Sequence, residues 1–186
     1  MKLIILDRDG VINEDSDDYI KSPEEWLPIP GSLEAIARLT RAGYRIAVAT
    51  NQSGVARGLF DGDTLQRIHD KMRGAVAAAG GEIAAIYFCP HGPDAGCACR
   101  KPQPGLLREI GTHFHVDLSG VPVVGDSLRD VQAAKTVGAR PILVRTGKGE
   151  GTVVRGEGLA GVPVYPDLAA AVDALLREAA DAASRS

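Results

Sequence analysis

Length, composition and charge set the bounds. The chain has 186 residues, 45% of them hydrophobic, with a net charge of -3 and no Lys/Arg block, which suits one domain over residues 1–186 and lacks the electrostatic footprint of a nucleic-acid or anionic-membrane binder. No run reaches the ~18 apolar residues of a membrane span, and the first one meets Asp7 too early for a signal-peptide core; the expectation is a cytoplasmic monomer acting on a small molecule.

Leu3-Ile4-Ile5-Leu6 reads as a buried strand from Lys2 to Leu6, followed directly by Asp7-Arg8-Asp9-Gly10. Strand residues alternate faces, so Asp7 and Asp9 project to one side while Gly10 lets the backbone bend away. A first helix is expected over Ser32–Ala42, with apolar residues at 33, 36, 37 and 39 and a stop at Gly43. A second strand covers 45–49, and Asp61 or Asp63 caps a long helix reaching about Gly80. Further strands read at 83–88, 121–124, 141–144 and weakly 162–165, with a helix opening near Pro104 and an Ala/Leu-rich one starting at Asp167. This alternation predicts an α/β fold: one Rossmann-like domain with a central parallel sheet flanked by helices and no large cap domain. Residues 183–186 read as a disordered tail and 147–151 as a flexible connection. His69, His113 and His115 lack ligand-spaced partners and read as surface or helix-end residues.

The chemistry-bearing residues gather at the ends of these strands, the edge where open α/β sheets bind ligands. Thr50-Asn51-Gln52-Ser53-Gly54 offers hydroxyl, amide and backbone donors for an anionic oxygen. Cys89-Pro90-His91 and Cys97-Ala98-Cys99 form two short clamps supplying one nitrogen and three sulfurs, enough to fill a tetrahedral Zn²⁺ site with no open position, hence a structural one. Three cysteines within eleven residues are also no disulfide framework. Arg100-Lys101-Pro102 follows at once, and Gly125-Asp126-Ser127 ends the fourth strand with Asp130 one turn on. Asp7 and Asp126 suit Mg²⁺, a hard cation that takes oxygen ligands and would keep Asp7 ionised as a nucleophile. Asp9 then needs the opposite environment, protonated for a leaving alkoxide. A phosphoacceptor signalling domain also uses acids, a Thr and a Lys; Asp9 discriminates, since such a domain needs no second acid for hydrolysis.

These residues resemble the four motifs of the haloacid dehalogenase-like phosphatases, in order Asp7-x-Asp9-Gly10, Thr50, Lys101 and Gly125-Asp126-x-x-x-Asp130, over roughly residues 1–147. The resemblance implies that Asp7 becomes the aspartyl phosphate, that Asp9 is the general acid/base and ligates Mg²⁺ through its backbone carbonyl, and that Thr50 and Lys101 hold phosphoryl oxygens. It makes Asp126 a Mg²⁺ ligand and Asp130 a supporting group. The zinc loop 89–99, the stretch Thr50–Gly58 and Val144-Arg145-Thr146-Gly147-Lys148 are similar to the heptose 1,7-bisphosphate 7-phosphatase branch, which serves nucleotide-activated heptose biosynthesis for lipopolysaccharide. That branch implies a sugar bisphosphate substrate touched by Asp15, Asp18, Asn51, Gln52, Ser53 and Arg100, with the α or β anomer left open. Histidinol-phosphate phosphatases carry a similar short zinc loop and are the alternative.

Overall fold

The computed structural model describes residues 1–185. Six parallel strands, β1 (Lys2–Leu6), β2 (Tyr44–Asn51), β3 (Ala85–Cys89), β4 (Pro122–Gly125), β5 (Arg140–Val144) and β6 (Val164–Tyr165), form one sheet in the order β3-β2-β1-β4-β5-β6. Strand order reverses between β1 and β4, and the crevice beyond their C-terminal ends is the ligand position of doubly wound sheets. Leu6 is paired with both Val48 and Val124, so the residue after it emerges from the middle of the sheet.

Helices α1 (Ser32–Arg41), α2 (Gly62–Ala78) and α6 (Leu168–Ser184) cover one face, while α3 (Gly105–Phe114) and α4 (Leu128–Thr136) cover the other. The period-2 pattern of β1 feeds both layers: Ile4 and Leu6 enter the first core, Leu3 and Ile5 the second. Being buried on both faces is why this strand is continuously apolar rather than alternating. Asp61 caps α2 by accepting the Thr64 N–H at 2.8 Å, and Asp167 caps α6 by accepting that of Ala170 at 2.8 Å. No helix among the described residues is long and apolar enough to cross a membrane.

The structure corrects four readings. Residues 147–151 are not a flexible connection, because a further helix, α5 (Gly149–Arg155), begins inside them. Tertiary contacts make it: a Cβ at Gly149 would lie 1.7 Å from the Val144 carbonyl oxygen, so only glycine packs there, and Thr152 Oγ1 donates to the Asp126 carbonyl at 3.0 Å. His69 is buried rather than superficial, sharing the inward face of α2 with Leu65, Met72 and Val76 at helical spacing. His113 and His115 do sit at the end of α3, the latter in a left-handed cap with φ 53°. The tail is helical through Ser184, and Ser186 lies outside the described residues. Finally, β2 continues through Thr50 and Asn51, which makes them strand residues rather than loop.

Candidate active site

The Asp7 N–H donates to the Val124 carbonyl at 2.9 Å, tying the turn after β1 to β4. The next three residues wind around the Arg8 carbonyl, which accepts the Ile12 N–H at 2.8 Å and that of Asn13 at 3.2 Å. Gly10, at φ 82°, is in the left-handed region, and a Cβ on it would lie 2.1 Å from Asp126 Oδ2. Gly147 crowds the same carboxylate oxygen from the β5 side, where a Cβ would come to 2.4 Å. Two glycines therefore let two loops close onto Asp126.

Lys101 is buried, and its ammonium has three partners: Ala49 O at 2.7 Å, Asp130 Oδ1 at 2.6 Å and Asp7 Oδ1 at 3.1 Å. Asn51 holds the lysine's own peptide in a two-bond clamp, its Nδ2 donating to Lys101 O at 3.1 Å and its Oδ1 accepting the Lys101 N–H at 3.0 Å. Asp130 has no oxygen to spare, since Oδ2 accepts from the Ser127 N–H at 3.1 Å and Oγ at 2.8 Å. Asp7, Asp126 and Asp130 nonetheless offer carboxylate oxygens within 4.8 Å of one another, a spacing that suits a shared cation.

Burial is the first cause of the high proton affinity here. It pushes Asp7 up to about 7, against the nearby Lys101 and with the help of Asp130 and Asp9. It pushes Asp126 up to about 8, reinforced by Asp7 and Asp130. Asp9 behaves oppositely: burial acts upward on it too, but the Arg8 guanidinium and hydrogen bonds from Arg8, Asn13 and Gln52 hold it below the ordinary carboxylate range. Without a metal, burial therefore favours the protonated form of Asp7 and Asp126, while Arg8 favours the ionised form of Asp9. The physical reason is a buried arginine beside Asp9, and a divalent cation between the other two acids would reverse their logic.

Thr50 is buried at the floor, its Oγ1 accepting from Gln52 Nε2 at 3.0 Å, so its own O–H can point to the cavity. The same Gln52 nitrogen donates to Asp9 Oδ2 at 3.0 Å. The cavity over these groups measures about 340 Å³, and Asp15, Asn51, Gln52, Ser53 and Arg100 all line it. Asp18 does not: it is exposed, carried outward by the turn in which the Tyr19 N–H donates to Ser16 O at 3.1 Å, and Asp17 and Tyr19 line the wall instead. Arg57, whose guanidinium lies 5.7 Å from the Tyr19 ring centre, joins Arg129 and Lys148 on the rim. Sequence reasoning missed Arg8, Asn13 and these rim cations; lone basic residues carry no periodic signal, and only the quoted motifs around Arg8, Arg57 and Lys148 hinted at them.

Cys89, His91, Cys97 and Cys99 converge, with ligand atoms all within 4.8 Å. His91 Nδ1 stands 3.4 Å from the sulfurs of Cys89 and Cys99, and the Cys89 sulfur lies 3.7 Å from that of Cys97 and a closer 2.9 Å from that of Cys99. Ligands on one tetrahedral ion with Zn–S of about 2.3 Å would be separated by about 3.8 Å. The Arg100 backbone N–H pulls the Cys97 thiol down to about 6, while burial pushes the Cys89 and Cys99 thiols up. The cluster is anchored to β2, as the Gln52 N–H donates to Cys89 O at 2.7 Å and the Ala56 N–H to Pro90 O at 3.2 Å.

A carboxylate-bearing strand end, a buried lysine and a converging acid cluster on a Rossmann-like sheet define a class, and an HAD-hydrolase-like family profile matches residues 98–171. The chain is 60% identical over 179 residues to the D-glycero-beta-D-manno-heptose-1,7-bisphosphate 7-phosphatase of Bordetella bronchiseptica, covering 96% of this chain and 100% of that one. It is 58% identical over 176 residues to the enzyme of the same name from Pseudomonas aeruginosa, covering 94% and 98%. The crystal structure of the B. bronchiseptica D,D-heptose 1,7-bisphosphate phosphatase complexed with magnesium and phosphate superposes with a TM-score of 0.94 at 60% identity, covering 96% of this chain and 99% of that one. The chain belongs to the D-glycero-beta-D-manno-heptose-1,7-bisphosphate 7-phosphatase family.

Proposed function

We propose that this protein is a Mg²⁺-dependent phosphatase that removes the 7-phosphate of D-glycero-β-D-manno-heptose 1,7-bisphosphate, a step in nucleotide-activated heptose biosynthesis. The observation that carries the reading is the strand-end turn that sets Asp7 against Lys101 while Asp9 faces the same cavity, in a chain so similar to enzymes of that name. The β anomer follows the names of those relatives.

In this reading an Asp7 oxygen attacks phosphorus, the bond from phosphorus to the sugar oxygen breaks, and Asp9 gives that oxygen a proton. Asp9 is ionised in the resting site, so the proton is taken up when the phosphoryl dianion arrives beside it. Ionised again, Asp9 takes a proton from water, which attacks the phosphorus and frees Asp7. Thr50 donates to a phosphoryl oxygen. Lys101, with two hydrogen bonds and an ion pair to Asp7, contributes charge. Asp7, Asp126 and the Asp9 carbonyl would hold Mg²⁺, which when bound keeps Asp7 ionised and offsets phosphoryl charge. Cys89, His91, Cys97 and Cys99 would hold a structural Zn²⁺, stiffening the loop that leads to Lys101. Arg100 and Asp15 would meet the sugar and its distal phosphate. Unpaired thiols suit a reducing compartment, and we assign the reaction to the cytoplasm.

The test is a phosphate-release panel with Mg²⁺, containing both anomers of the heptose bisphosphate and histidinol phosphate. The β-bisphosphate should give the highest kcat/KM, with one phosphate released per molecule and the 1-phosphate left intact. Asp7→Asn should lose about 10⁴-fold or more and form no acid-stable covalent phosphoenzyme. A preference for histidinol phosphate, or release that stops after one turnover, would overturn the reading.

A further inference from the structure

Behind Asp9 the protein buries a guanidinium that the chemistry above does not consume. Arg8 is 0% exposed; its Nε donates to Asp9 Oδ1 at 2.9 Å, and its Nη1 stands 3.1 Å from His69 Nε2 on α2. Nη2 lies 2.9 Å from the same Oδ1 without an aligned hydrogen bond. Arginine has only N–H donors, so His69 Nε2 must accept with its lone pair. The imidazole is therefore neutral, with its proton on Nδ1, and burial followed by the charge of Arg8 pushes the His69 pKa down to about 3.

The two oxygens of Asp9 consequently have unequal surroundings. Oδ1 accepts from Arg8 and, at 2.9 Å, from Asn13 Nδ2, whereas Oδ2 accepts only from Gln52 at 3.0 Å. A proton on Oδ1 would face the N–H groups of Arg8 and Asn13, whereas Oδ2 has a single partner and the Asp9 residue lines the cavity. We infer that Arg8 and His69 are positioning residues for the acid/base: His69 holds Arg8, and Arg8 occupies Oδ1 so that Oδ2 is the oxygen that exchanges protons with the leaving group. The inference rests on the acid/base role proposed for Asp9.

Leaving groups separate this role from simple core packing. The heptose bisphosphate expels an alkoxide that must be protonated, while p-nitrophenyl phosphate expels a phenolate that need not be. The quantity to compare is kcat/KM, because it stops at leaving-group departure and excludes the later hydrolysis that also uses Asp9. With the full-length Mg²⁺-loaded enzyme, His69→Leu and Arg8→Lys should each lose about 10- to 100-fold on the bisphosphate and less than about 3-fold on the aryl ester. His69→Gln, which restores an acceptor, should recover most of that loss. Equal losses on both substrates, or none on either, would overturn the inference; if His69→Leu does not fold, Arg8→Lys alone decides by the same ratio. Asp9→Asn is the control for the underlying reading. It should show the same selective loss, and an unselective loss would put the fault in the assignment of Asp9 itself rather than in Arg8 and His69.

Discussion

The inner and outer parts of the cavity are built on different terms. In the inner corner, Lys101, Asp126 and Asp130 are buried at 3–4% exposure, and the Lys101 ammonium makes two hydrogen bonds and an ion pair to Asp7. At the rim, Arg57, Arg129 and Lys148 are exposed, and the ion pair between Lys148 and Asp15 is a loose 3.7 Å. Charges in the corner act at low dielectric and need no reorganisation as the reaction proceeds, while the rim charges are screened and their side chains free to adjust. In the proposed function, the inner corner is therefore the rigid part and the rim, which would meet the distal part of the substrate, the compliant one.

Removing the charge of the corner should have the largest effect. Lys101→Met leaves Asp7 and Asp130 buried beside each other, so phosphate-release assays should show kcat/KM falling about 10²- to 10³-fold. Melts at neutral pH should show a loss of about 3–5 kcal/mol. A loss no greater than that of a rim substitution would erase the distinction between the two regions.

Next comes pH. Asp7 and Asp126 have folded pKa values of about 7 and about 8, above the 3.8 of the free carboxyl. Raised values mean the folded state holds protons that the unfolded chain has released. Their stabilisation is full below about pH 4 and lost as pH rises through 7 to 8. Metal-free protein should thus melt at lower temperature at pH 8 than at pH 5, and Mg²⁺ should restore most of the difference. A flat metal-free profile would show that burial does not raise the proton affinity of the corner acids.

The smallest effects belong to the rim. Arg100→Ala should raise KM for a bisphosphate by about 10-fold, the worth of one charge-assisted hydrogen bond, and leave a sugar monophosphate nearly unchanged. Asp18→Ala should change neither by more than about 2-fold, because Asp18 faces away from the cavity. Steady-state kinetics on the two substrates decide between a selective rim and a passive one.

Much of this was legible in the chain. The apolar run before Asp7, the spacing from Asp7 to Asp9 and the Cys/His clamps depend on neighbours in sequence, so local rules reach them. The helix at Gly149 was not legible, since it depends on partners elsewhere in the chain, whereas the spacing of His69 from Leu65, Met72 and Val76 already carried the signal of its buried face. Asn51 shows the limit well: its type suited an oxygen-binding role, yet its amide also braces the Lys101 peptide, a contact across 50 residues.

By itself the sequence determined the parallel sheet, which motifs gather near the ends of its strands, and the donor types of the acid and Cys/His clusters, because periodicity and spacing act over a few residues. Only the tertiary structure decided which acids are buried together, the exposure of Asp18 and the guanidinium behind Asp9. Burial and the distance between charges set those properties, and neither exists until the strands are brought side by side.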